Sequence, residues 1–232
     1  MMRRYFLSML LCTSQMAQAQ KPPMLTTYKE YLQSVKHTTE KQMVELKQVV
    51  NAVVYDLKYA TRDNFMQRRM YARGTNITFL RKNAALALAG VQQELNQKGY
   101  GIKVFDAYRP WSVSKSFWDL VQDERYVANP SRGSNHNRGT AVDLTIIELS
   151  TGRELDMGTG FDNFTDTAHH PFINLPPQVL HNRELLKTVM QKHGFEPYTE
   201  EWWHYTYKSP ATFEVLNIPF KKLAKFRTKR DG

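Results

Sequence analysis

Two short fragments, far apart in the chain, carry the side chains of a metal site, and a fold that uses them must bring them together. Ser134-Asn135-His136-Asn137-Arg138-Gly139-Thr140-Ala141-Val142-Asp143 offers an imidazole and a carboxylate seven residues apart, with Gly139 between them. Glu201-Trp202-Trp203-His204 adds a second imidazole and a spare carboxylate. Two histidines and an aspartate are three ligands of the kind a catalytic zinc takes, leaving a fourth position for water. A carboxylate beside that water can act as general base. Taken alone, a His-x6-Asp pair is weak, because such residues more often make an ordinary surface or core hydrogen bond. Ser134, Gly139 and Ala141 strengthen it, since small residues let backbone and metal come close. Glu201 and His204 stand three apart. On a helix that spacing shares a face; on a strand it separates the side chains, so the approach to His204 must bend or twist.

The outer limits come from size and charge. A chain of 232 residues suffices for one well-buried domain, and 41% hydrophobic with 23% charged residues is an ordinary globular balance. The formal charge of +10 raises the question of a polyanionic partner. The basic residues are scattered rather than banded with stacking aromatics, which argues against nucleic acid. Their densest run, Lys221-Lys222 to Lys229-Arg230, reads as a solvated basic tail over 211–232, with weak attraction to an anionic envelope surface as its one use. At the other end, Arg3 and Arg4 precede an apolar run from Tyr5 to Cys12 and a small-residue site at Ala17-Gln18-Ala19. That is the pattern of a signal peptide over 1–19, too short to span a bilayer. The expectation is an exported, periplasmic protein with no stable membrane insertion once cut after Ala19. Leu11 stands before Cys12 where a lipid anchor needs a small residue. Cys12 is the only cysteine, so a packed core rather than a disulfide must hold the mature protein, and cysteine is removed from the ligands and nucleophiles.

Along the chain, 20–45 is polar and without clear periodicity, and predicts a loose lead-in to a single domain over 46–210. Val50, Val53, Val54 and Tyr55 give 49–59 strand character. Asn83 is placed to cap a helix running to Lys98, with Leu86, Val91 and Leu95 on one face and Gly99 ending it. Residues 102–106 read as a short buried strand, after which Tyr108-Arg109-Pro110 turns the chain and holds Arg109 extended. A second helix over 112–125 would bury Val113, Phe117, Leu120 and Val121. Residues 141–147 suit a strand with Ala141, Asp143 and Thr145 on one face. The stretch 157–177 has neither period, and a loop that long in a compact domain is functional or disordered. Asn182 is placed to cap a last helix, and 202–207 forms a closing strand. No internal repeat is visible.

The pattern Ser-x-His-x-x-Gly-x-Ala-x-Asp followed by Glu-x-x-His resembles the zinc D-Ala-D-Ala peptidases, whose fold is shared with hedgehog signalling domains. Asp106-Ala107-Tyr108-Arg109-Pro110, Met157-Gly158-Thr159-Gly160-Phe161-Asp162 and Glu201-Trp202-Trp203-His204-Tyr205 narrow the resemblance to the D-alanyl-D-alanine dipeptidases, over roughly 49–207. It implies an α+β domain with a central, mainly antiparallel sheet flanked by helices. It implies one zinc ion per chain held by His136, Asp143 and His204, with Glu201 as base and Arg109 steadying the developing oxyanion. Asp162 matches the acid that receives the substrate's free ammonium group, Ser134 a hydroxyl near the substrate, and Tyr59 and Tyr71 pocket tyrosines. The substrate implied is the small dipeptide D-Ala-D-Ala. Family members best known from antibiotic resistance are cytoplasmic, and the export signal departs from them.

Each assignment has a plainer competitor. Arg109 can be the ion-pair partner of Asp106, Asp162 a turn cap, and the two tryptophans core residues. His169 and His170 are adjacent and point opposite ways on an extended chain, so at most one could help the site. Neither matches a ligand position in the family, and they read either as plain loop residues or as residues standing behind the ligands. His193 suits a helix C-terminus, while His37 and His181 carry no signal. Two further functions compete: a murein D,D-carboxypeptidase or endopeptidase of the same metal fold, and a non-catalytic zinc-binding envelope protein. Glu201 with Arg109 counts against the latter, which needs neither. Nothing in the sequence sets an oligomeric state.

Overall fold

Apolar runs in the middle of the chain build the sheet that carries the site. The structure, a computed structural model, describes residues 22–226; the expected signal peptide and the end of the basic tail lie outside them. In chain order the elements are β1 (Met24–Leu25), α1 (Tyr28–Val35), β2 (Met43–Glu45), β3 (Val54–Tyr55), β4 (Phe79–Arg81), α2 (Lys82–Asn96), β5 (Tyr100–Asp106) and α3 (Trp111–Val121). There follow α4 (Asn135–Arg138), β6 (Ala141–Glu148), α5 (Pro177–Lys192), β7 (Phe195–Tyr198), β8 (Glu201–Tyr207), β9 (Val215–Leu216) and α6 (Phe220–Ala224). Five strands form one sheet in the order β3-β5-β6-β8-β7. Only β3 and β5 run parallel, and every other neighbouring pair is antiparallel. The architecture is therefore α+β with a mainly antiparallel sheet.

Seven of the eight residues of the central strand β6 are buried, as a strand covered on both faces requires. Val142, Leu144 and Ile146 join Leu88, Val91 and Leu95 of α2 and Leu186, Val189 and Met190 of α5 in one core. Alternation turns Asp143 away from that core toward the pocket described below. Among the described residues no helix is long and apolar enough to cross a membrane.

Both ends of the domain reach further than the sequence suggested. The expected loose lead-in contains a capped helix: Thr27 accepts from the Glu30 backbone while Glu30 reaches back to Thr27, the reciprocal arrangement of a capping box. Tyr31 and Val35, four apart, bury its single apolar stripe. The expected basic tail is likewise folded as far as it is described, with Phe213, Val215, Leu216, Ile218, Phe220 and Leu223 buried. β1 and β9 pair in parallel, and these segments share a second core with Tyr59, Tyr71, Tyr108 and Phe117. Arg81, buried on β4, ties them to α4. Its Nε donates to the Arg138 carbonyl at 2.7 Å and its Nη2 to that of Glu214 at 3.2 Å, while Nη1 donates to Lys41. Polar composition hid both segments because their buried residues pack against each other and against Tyr59, Tyr71, Tyr108 and Phe117, all distant in sequence.

Helix boundaries shift for local reasons. α2 begins at Lys82, so Asn83 lies inside it, and Leu86 is 49% exposed because Ala84, Ala85 and Leu88 take the buried face. α3 stops at Val121, where Gln122 adopts a left-handed conformation at φ 48°, leaving Leu120 exposed. α5 starts at Pro177, whose missing N–H is harmless at a first helical position. Asn182 is then internal and donates to the Asp156 carbonyl at 2.8 Å. The strand expected over 49–59 shrinks to Val54–Tyr55.

Candidate metal centre and active site

His136 is presented by α4, a single turn with a cap at each end. Ser134 Oγ accepts the Asn137 N–H at 3.1 Å while the Asn137 side chain accepts the Ser134 N–H at 2.9 Å. Gly139 closes the turn at φ +75°, and a Cβ there would fall 2.6 Å from the Met43 side chain. The glycine is thus favoured by its left-handed conformation, while the end of the Met43 side chain would have to shift for any Cβ. His136 Nδ1 lies 2.7 Å from the Ala107 carbonyl. A carbonyl only accepts, so Nδ1 carries the proton and Nε2 presents a lone pair.

Asp143 and His204 are brought in by register, since they sit directly opposite each other on β6 and β8. His204 Nδ1 lies 3.0 Å from Asp143 Oδ1 and 3.2 Å from His136 Nε2, and His136 Nε2 lies 3.4 Å from Asp143 Oδ2. On the far side of its ring, His204 Nε2 approaches Thr206 Oγ1 at 3.3 Å, and that oxygen also accepts from Asn135 Nδ2 at 3.2 Å. With Nε2 protonated onto Thr206, a second imidazole lone pair faces the first. Two lone pairs and a carboxylate cannot satisfy one another; a cation among them can. The separations fit as well, because bonds of about 2.0–2.1 Å to a tetrahedral zinc hold its ligands roughly 3.3 Å apart. The three ligand atoms lie within 4.8 Å of one another, and the donor set matches zinc.

Residues 39–224 match the family model described as D-ala-D-ala dipeptidase. The chain belongs to that family. It is 35% identical over 183 residues to the D-alanyl-D-alanine dipeptidase of Escherichia coli (strain K12), covering 79% of this chain and 92% of that protein. It is 34% identical to the corresponding protein of Enterococcus faecalis (strain ATCC 700802 / V583), over 69% of this chain and 88% of the relative. With that of Enterococcus faecium the identity is 32%, over 76% and 96%. This family member is accordingly a peptidase, and the match extends through α6, past the expected start of the tail.

The remaining groups of the dipeptidase pocket surround the cluster in a cavity of about 280 Å³. Glu201 opens β8, with Oε2 3.7 Å from His204 Nδ1. Burial first, then repulsion from Asp143 and Asp162, pushes its carboxyl well above the usual range against the pull of Arg109. Burial also acts to raise Asp143, but positive charge on His136 and His204, when these are protonated, overrides it and holds that carboxylate low; a cation held by the neutral rings would act in the same direction. Asp162 sits at φ 58°, and the Tyr59 hydroxyl reaches its two oxygens at 3.0 and 3.1 Å. Burial, and then Asp143, pushes Asp162 up to about 8. Phe65, Phe117, Tyr126, Phe164 and Trp203 form the apolar part of the pocket wall.

Arg109 is an ion-pair partner of Asp106 and also lines the pocket. Its Nε and Nη2 lie 2.9 and 2.8 Å from Asp106 Oδ2, and Nη2 lies 3.6 Å from Asp143 Oδ2. The guanidinium is held between the rings of Tyr59 and Phe117, at 5.0 and 4.8 Å, and lines the pocket. Ser134 lines it too, with its oxygen engaged as a cap. Tyr71 does not. It is buried beneath the pocket, and its hydroxyl donates to Asp106 Oδ1 at 2.5 Å. Its expected place among the substrate contacts is therefore corrected: the chain between Tyr59 and Tyr71 loops back, Tyr71 N donating to the Tyr59 carbonyl at 3.0 Å, and only Tyr59 faces inward.

Sequence reasoning missed Asn135 and Thr206, whose polar side chains look like any others until the histidine they serve is placed. It also missed the wall from Glu124 to Arg132, which lines the pocket without a motif. His169 Nε2 lies 3.3 Å from the Tyr126 hydroxyl, outside the ligand cluster, and His193 pairs with Glu94 at 3.0 Å.

Proposed function

We propose that this dipeptidase-family member hydrolyses D-Ala-D-Ala to two D-alanines, using one zinc ion held by His136, Asp143 and His204. The observation that carries the reading is the convergence of those three side chains with Glu201 alongside, in a pocket that also contains a buried acid, Asp162. When bound, the ion supplies Lewis acidity, polarising the peptide carbonyl and lowering the pKa of water toward about 7. Glu201, raised in basicity by burial, takes a proton from the attacking water and returns it to the departing amine. Arg109, its charge fixed across any working pH, faces the oxygen on which negative charge develops. Asp162, with Tyr59 bonded to it, receives the free ammonium of the dipeptide, whose charge restores the acid's anionic form. A blocked or extended N-terminus would leave that acid without its partner. This feature favours a dipeptidase over a carboxypeptidase acting on murein stems.

The test is hydrolysis of D-Ala-D-Ala beside L-Ala-L-Ala and a D-Ala-D-Ala-terminated pentapeptide, with and without a chelator. Chelator-sensitive cleavage of D-Ala-D-Ala alone is expected; cleavage of the pentapeptide alone would transfer the protein to the murein carboxypeptidases. Export with cleavage after Ala19 belongs to the same reading. It is checked by N-terminal sequencing of the protein recovered from the envelope fraction.

A further inference from the structure

We infer that Tyr71 is a positioning residue for Arg109, acting through Asp106 without touching substrate; the inference rests on the oxyanion role proposed for Arg109. Asp106 is fully buried and divides its two oxygens between two donors. Oδ2 takes both Nε and Nη2 of Arg109, at 2.9 and 2.8 Å, and Oδ1 takes the Tyr71 hydroxyl at 2.5 Å. A carboxylate facing a guanidinium ordinarily offers both oxygens in a two-bond fork. Here the fork is blocked, because Tyr71 already holds one oxygen. The hydroxyl therefore sets the rotation of the Asp106 carboxylate, and that rotation sets the direction in which the guanidinium points.

Tyr71 is itself well fixed. Its ring packs against those of Phe220 and Tyr59, with centroids 4.8 and 6.0 Å away. Met70 N and Tyr71 N both donate to the Tyr59 carbonyl, at 2.9 and 3.0 Å. The segment that carries Tyr71 is thus clipped to the residue whose ring covers Arg109. Without the hydroxyl, Asp106 Oδ1 would be a buried acceptor with no donor, an arrangement proteins avoid. The simplest repair is rotation of the carboxylate into the fork, which carries the guanidinium with it. A displacement of about 1 Å in a catalytic group can cost on the order of a hundredfold in rate.

The experiment compares zinc-loaded wild type, Tyr71→Phe, Arg109→Ala and the double variant, full length, on D-Ala-D-Ala. Tyr71→Phe should lower kcat about tenfold to a hundredfold with KM within about twofold, and should add little to the loss in Arg109→Ala. An intact kcat, a raised KM with kcat unchanged, or full additivity in the double variant would each overturn the inference. A second readout needs no substrate: the Arg109 Nε–H resonance in the nitrogen-15 NMR spectrum, assigned by its disappearance in Arg109→Lys, should shift in Tyr71→Phe. An unmoved resonance refutes the relay even if D-Ala-D-Ala is not the substrate. Failure of wild type to cleave the dipeptide, with the resonance shifted, refutes the functional reading alone.

Discussion

Glu201 Oε2 lies 3.7 Å from His204 Nδ1, although the two residues stand three apart on one strand. Strand geometry sends such side chains to opposite faces. The exception arises at the irregularity between Pro197 and Tyr198, where the β7–β8 register shifts and Tyr198 pairs with Glu201. A bulge of this kind bends and twists its strand locally, re-aiming a side chain. The first residue of β8 is thereby turned toward the ligand cluster, and a buried carboxylate stands beside it.

Glu201→Gln tests that placement, since it keeps volume and hydrogen bonding but removes the proton acceptor. One zinc per chain should be retained by elemental analysis, while turnover falls by about a hundredfold to ten-thousandfold. Near-normal hydrolysis would move the base elsewhere; loss of zinc would make Glu201 part of the metal site.

Thr206 faces the outer nitrogen of His204, and Asn135 in turn donates to the Thr206 oxygen. Partners of this kind fix tautomer and ring orientation, and removing one lowers metal affinity by about tenfold to a hundredfold. Thr206→Val should show that loss in a chelator competition, with kcat at saturating zinc much less affected. Unchanged affinity would mean that the imidazole is oriented by the strand alone.

The central strands and the side chains that converge at His136, Asp143 and His204 were legible because their signals are short and local. Asp143 on a buried strand, His136 close to a glycine and Arg109 before a proline each declare themselves within a few residues. The twist that brings Glu201 to His204 was legible only as a requirement, because the bulge depends on β7, which the sequence does not pair with β8. Tyr71 was misplaced for a related reason. A tyrosine in a loop looks the same whether it faces substrate or turns under the floor, and the deciding contact lies with Asp106, 35 residues away. The segments at the two ends of the described residues were misread because they pack against each other and against aromatic residues from the middle of the chain, over separations no sequence window covers.

His170 gives the stability of this fold an acid limb. Burial, with help from nearby Lys187 and Arg183, lowers its pKa from 6.5 to about 4, and its Nε2 is buried with no hydrogen-bond partner. Between pH 6.5 and 4 the unfolded chain binds a proton that the native state refuses, so stability is lost as pH falls through that window. The loss should approach roughly 3 kcal/mol at its lower end. His170→Phe should flatten this limb in urea titrations of the metal-free protein at pH 7, 5.5 and 4. Parallel losses in wild type and variant would assign the acid sensitivity to other groups.

Asp162 offers the sharpest test of substrate choice, because its replacement by asparagine suits the site in every respect but charge. Asparagine tolerates the left-handed backbone at φ 58°, fills the same space and still accepts the Tyr59 hydroxyl. It cannot complete an ion pair with an ammonium group. A charge-assisted hydrogen bond contributes about 1.5–3 kcal/mol, so Asp162→Asn should lower kcat/KM for D-Ala-D-Ala by roughly ten- to a hundredfold. Activity toward the N-acetylated dipeptide, which has no ammonium to offer, should fall far less, so the preference between the two substrates narrows. Equal losses on both would show that Asp162 supports the pocket rather than reading the N-terminus, and a carboxypeptidase that accepts longer chains would then become the better account.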